Sequence, residues 1–253
     1  MRDLRKLPKV DLHVHLECAI RGETLRRLAD RSGVDLPTSL TIEGYRFKDF
    51  EDFRAAVHAI RRCLTRESDF FLAGFELCRQ QAAQSVRYFE VSFTLGAHGL
   101  RLSDWEMPIS ALLDGLQMGR ETYGIQSRVI VDHGRSQPEE VGMRALRMAL
   151  KFKDRGVTGF GLGGNELQRP PEAFARVFRD AVDGGLHSVP HAGEMAGPAS
   201  VRSAIVHLKA ERIGHGIRIL EDSELVTLAR EREIALKVCS TSNVMLGMVR
   251  ARD

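Results

Sequence analysis

The chain contains no run of about 18 consecutive apolar residues, so no stretch of it is long enough to span a bilayer as a helix and no membrane partner is expected. Cysteine is scarce. Its four copies, Cys18, Cys63, Cys78 and Cys239, show no paired spacing, which points to reduced thiols and a cytoplasmic setting rather than a disulfide framework. The start, Met1 to Pro8, is charged and lacks the apolar centre of a signal peptide. An excess of one charge is also missing, with 37 basic against 34 acidic residues. Arginine pairs such as Arg26-Arg27 and Arg61-Arg62 fall on helix surfaces as solvated faces, so nucleic acid is not an expected partner. No internal repeat, low-complexity tract or linker interrupts the chain. Its one glycine-rich turn, Gly161–Glu166, is neither a Walker loop nor a dinucleotide fingerprint.

Hydrophobic residues make up 43% of the 253 positions, enough for a sizeable core. Strand-like runs at Val10–Leu16, Val86–Phe93, Ser127–Val131, Val157–Leu162, His187–His191, Arg212–Gly214 and Ile234–Val238 alternate with helical spacings. Phe50, Phe53, Val57, Ile60 and Leu64 form one apolar stripe, and Phe71, Phe75, Cys78 and Ala82 a second. Val141, Ala145, Met148 and Phe152 form a third, closed by Gly156, and Phe174, Val177, Phe178 and Ala181 a fourth, closed by Gly184-Gly185. Strand–helix alternation predicts an α/β fold with a parallel sheet, a (β/α)8 TIM-type barrel forming one domain over residues 1–253. The stretch from Gly22 to about Gln84 is long for one crossover and predicts extra helices placed as a lid. Seven strands are countable where a closed barrel needs eight, so the eighth strand–helix unit is expected to lie beyond Asp253.

The informative polar residues fall at strand C-termini, where barrel sites are built. In Val10-Asp11-Leu12-His13-Val14-His15-Leu16, residues two apart project from the same face of a strand, so His13 and His15 aim at one point. His191 ends the fifth strand. Three imidazoles with an open position describe a hydrolytic zinc site. Glu194, three residues on, is placed to relay a proton as general base and then general acid. His215, between Gly214 and Gly216, can approach a ligand closely and orient the attacking water. The histidines at 58, 98, 133, 187 and 207 have no partners at ligand spacing and read as surface or core residues.

Together these segments resemble the adenosine deaminase family of the amidohydrolase barrels. The resemblance is carried in order by Leu7–Glu17, Gly161–Glu166, His191-Ala192-Gly193-Glu194, Arg212–Gly216 and Val238–Val244. It implies zinc-dependent hydrolytic deamination of an aminopurine nucleoside, adenosine to inosine and ammonia, with Zn2+ or another divalent ion on His13, His15 and His191. It implies a proton-shuttle role for Glu194 and a water-positioning role for His215. It also implies substrate contacts from His15, from Glu17 at the ribose end, and from the backbone of Gly164 at a purine nitrogen. Three departures stand out: Cys18 in place of a glycine, Ser240 in place of a proline, and the family's strand-eight aspartates, which fall past the last residue. Gly214 favours a nucleoside over free adenine, whose deaminases tend to carry aspartate there. A modified adenosine such as aminodeoxyfutalosine, free adenine, and a non-catalytic nucleoside- or metal-binding role are the alternatives. Nothing in the sequence specifies an oligomeric state.

Overall fold

The computed structural model describes residues 6–250; the charged start at Met1–Arg5 and the last three residues lie outside the described residues. Seven strands follow one another: β1 (Lys9–His15), β2 (Val86–Phe93), β3 (Gln126–Gly134), β4 (Val157–Gly163), β5 (His187–Ala192), β6 (Arg212–His215) and β7 (Ala235–Lys237). Three helices separate β1 from β2, namely α1 (Gly22–Ser32), α2 (Phe50–Cys63) and α3 (Glu67–Ala83), as the long crossover predicts. The later crossovers carry α4 (Leu95–Leu102) and α5 (Met107–Tyr123), then α6 (Glu139–Lys151), α7 (Ala175–Asp183), α8 (Pro198–His207) and α9 (Ser223–Glu231). The short α10 (Ser240–Met245) follows β7. Strand order equals chain order, and β1–β2, β3–β4, β4–β5, β5–β6 and β6–β7 all pair in parallel. Parallel strands in sequential order, each returning through a helix, are the (β/α) barrel pattern, here with seven strands among the described residues.

The chain divides into two compact units. One comprises the residues up to Phe93, His98–Arg128 and those from Thr241 onward. Its centre is the α3–α5 pair, which approach so closely that a Cβ on Gly115 would stand 2.1 Å from the Phe71 carbonyl oxygen. The other comprises Thr94–Ala97 and Val129–Ser240. There Ala192, Val201, Ala204, Ile205, Ile213 and Leu225 pack β5 and β6 against α8 and α9. Burying such side chains contributes roughly 25 cal/mol per Å2 of apolar surface removed from water.

The predicted strand positions hold, with shifted ends. β3 runs on to Gly134 rather than Val131, because its pairing with β4 continues through His133↔Leu162 and Gly134↔Gly163. β7 is shorter than the apolar run Ile234–Val238 suggests, since only Ala235–Lys237 find ladder partners on β6.

Candidate active site

In the first unit, β1 delivers His13 and His15 on one face, with ring centroids 5.5 Å apart. Asp11 steadies the strand before them: one carboxylate oxygen accepts from the His13 backbone N–H at 3.1 Å and the other from Gln81 Nε2 at 2.7 Å. Past β1 the chain makes a single tight turn, Glu17–Ala19, that carries Glu17 inward. Glu17 is 1% exposed. Its Oε1 accepts from His98 Nε2 at 3.2 Å and from the Arg61 guanidinium of α2 at 3.4 Å. Burial alone would raise the Glu17 carboxyl, but the His98 hydrogen bond and the Arg61 charge outweigh it and hold the group at about 2. His98 is held below its usual value by the same burial, against the opposing pull of Glu17. His98 is thus a core histidine, as expected, yet its partner is a residue the family resemblance places at the substrate. The Cys18 thiol is pushed up to about 12 by burial and by Glu17, which makes it a poor nucleophile.

In the second unit, β5 and β6 end side by side, pairing His191 with Gly214 and Ala192 with His215. His191 and His215 are buried, with ring centroids 5.5 Å apart. His191 Nδ1 lies 2.9 Å from the Leu162 carbonyl oxygen, which fixes the ring's orientation and leaves Nε2 as the other face. His215 adopts a left-handed backbone, φ 64°, and is followed by Gly216 at φ 69°. A non-glycine residue there costs on the order of 1–3 kcal/mol, the kind of strain that concentrates at functional sites. Its Nε2 lies 3.5 Å from Glu194 Oε1. Glu194 is not the cap of α8, because that helix begins at Pro198 with Gly197 in the cap position. Desolvation, and behind it the charge of Glu166, raises the Glu194 carboxyl to about 7. A carboxyl at that value is poised to give and take a proton near neutrality.

Gly164, at φ 96°, closes the β4 turn in a conformation that side chains rarely adopt. Nearby, a Cβ on Gly161 would meet the Asp132 carboxylate at 1.9 Å. Of the histidines set aside, His133 is buried edge-on to Phe174, and burial together with Arg169 lowers it to about 4. His187 is exposed beside Glu211, and His58 and His207 are exposed. Among the buried charged residues that the sequence reading did not single out, two have partners at the end of β5. Arg135, fully buried, donates to the carbonyl of His191 at 2.7 Å and to that of Arg169 at 2.6 Å. Glu166 accepts from the turn after β5. The cue for Arg135 was available: Asp132-His133-Gly134-Arg135 is a polar run at a strand end, the same signal that singled out His13 and His15.

Among the described residues, His13, His15 and His191 each offer one ligand nitrogen, and these nitrogens all lie within 4.8 Å of one another. The profile of the family described as adenosine deaminase matches residues 8–253. The chain belongs to the adenosine deaminase family. An adenine deaminase from Cupriavidus necator is 40% identical over 248 residues, which cover 96% of this chain and 70% of that protein. The crystal structure of an adenine deaminase from Arthrobacter aurescens superposes with a TM-score of 0.87 at 30% identity, covering 96% of this chain and 75% of that one. A zinc-bound amidohydrolase from Burkholderia ambifaria superposes with a TM-score of 0.83 at 28% identity, covering 96% and 68%. This family member is therefore a hydrolytic deaminase of the purine class on an α/β barrel of the TIM type.

Proposed function

We propose that the chain catalyses zinc-dependent hydrolytic deamination of a 6-aminopurine, with free adenine as the first substrate and adenosine as the second reading. The convergence of the His13, His15 and His191 nitrogens carries the proposal. Three neutral imidazoles fit a divalent ion with zinc's preference for nitrogen donors, and the zinc-bound relative supports that identity. The chemistry such an ion supplies is Lewis acidity, which lowers the pKa of a bound water from 15.7 toward about 7.

The chain's own groups account for the rest. Glu194 gives a proton to a purine ring nitrogen as water adds to the amino-bearing carbon. The proton that the water sheds on adding returns to Glu194, which passes it to the amino nitrogen as the C–N bond breaks; ammonia departs and the new hydroxyl gives up its proton to leave the 6-oxopurine. His215, within reach of Glu194, orients the water, and the Gly164 backbone meets the purine edge without side-chain bulk. The adenine deaminase relative supports the free base. So does Glu17, whose carboxylate is buried between His98 and Arg61 instead of being presented to a ribose. Gly214 before His215 supports the nucleoside.

The test is ammonia release and loss of adenine absorbance from adenine and from adenosine, measured beside bound zinc. The expected result is faster turnover of adenine. Zinc-loaded protein that releases ammonia from neither compound overturns the reading.

A further inference from the structure

Glu166 ends the turn after β4 and is buried at 6% exposure, yet no role in the reaction falls to it from the sequence. Its two oxygens are saturated by one short segment. Oε1 accepts from the backbone N–H of Gly193 at 2.5 Å and from the Ser200 hydroxyl. Oε2 accepts from the N–H groups of Glu194, Met195 and Ala196 at 3.0, 2.9 and 3.1 Å. Four successive backbone N–H groups converging on one point form an anion-binding nest, and here the anion is a carboxylate of the protein itself. A buried carboxylate survives only when its lone pairs are used, and five donors achieve that. Gly193, at φ 70°, lets the turn curl around the carboxylate, and a side chain there would strike Val201.

All four amides belong to the turn between β5 and α8, the turn that carries Glu194. We propose that Glu166 is a positioning residue for deamination: its carboxylate fixes this turn and thereby places the Glu194 carboxyl against His215. This rests on the purine deaminase reading above. Arg135 completes the arrangement from the other end, since it holds the His191 carbonyl while its own backbone N–H donates to Gly163 at 2.9 Å. The exit of β5 is therefore held through a cation at its last buried histidine and through an anion at the turn beyond.

The test is Glu166→Gln, which keeps the size but turns an NH2 group toward amides that need an acceptor. Expected are a kcat lowered about 10- to 100-fold, a KM changed far less, and unchanged zinc content, in line with loss of an orienting partner. In the metal-free protein, amide hydrogen exchange at residues 193–196 speeds up while the strands stay protected. A folded Glu166→Gln enzyme with wild-type kcat overturns the proposal, as does one in which KM rises as steeply as kcat falls while zinc content and strand protection drop. If that variant does not fold, Ser200→Ala, which removes one donor of five, takes its place: a kcat lowered several-fold at unchanged KM supports the proposal and a wild-type kcat overturns it. Should the parent chain deaminate neither purine, the functional reading fails, and the exchange experiment still decides whether Glu166 holds the turn.

Discussion

Glu17 and Glu194 follow the ends of β1 and β5, and both have lost most of their contact with water. They end up at opposite extremes, one near 2 and the other near 7. Burial acts on both in the same direction, so the partners decide. Glu17 faces the Arg61 cation and the His98 donor, whereas Glu194 has the anionic Glu166 in its surroundings and no comparable cation among the causes of its shift. A carboxylate locked in its charged form serves as scaffold. One that can be found in either form serves as a proton carrier.

The comparison breaks most sharply at Glu194. Glu194→Gln should retain zinc and lose about 10²- to 10⁴-fold in deamination rate, read as ammonia release. A variant with wild-type rate removes Glu194 from the chemistry. His13→Ala should give protein that loses most of its zinc after dialysis, read by metal analysis, with the helix-rich α/β fold retained by circular dichroism.

The two carboxyls should also leave opposite marks on stability against pH in the metal-free protein. Glu194 is raised from 4.5 to about 7, so the folded state holds its proton more tightly. Its ionisation costs stability progressively between those values, on the order of 3 kcal/mol above pH 7, and Glu194→Gln should flatten that fall. Glu17 is lowered from 4.5 to about 2, so its contribution, of similar order, is present above pH 4.5 and disappears as pH falls toward 2. Denaturant unfolding from pH 2 to 9 measures both. The smallest effect belongs to His98→Ala, which leaves Glu17 with Arg61 and should cost about 1–3 kcal/mol, read as a lower Tm.

Much of this was legible in the sequence because it is local. The i, i+2 histidines of β1, the histidine closing β5 and the glycines around His215 declare themselves within a few residues. The helices with one apolar stripe were legible for the same reason. α5 was not, because Ile109, Ala111, Leu112, Leu113 and Leu116 make a broad apolar face instead of a narrow stripe, leaving Asp114, Gln117 and Glu121 as its exposed polar edge. Glu166 and His98 stayed hidden for a different reason. Their partners lie 27 to 81 residues away, and no local pattern encodes contacts of that span.

The contact between Asp132 and Gly161 links two positions that are 29 apart in number but side by side on β3 and β4. With the carboxylate 1.9 Å from where a methyl group would sit, any larger residue at 161 requires a shorter one at 132. A mutational library that varies position 161 alone will therefore report it as intolerant. Varying them as a couple opens routes that single steps conceal.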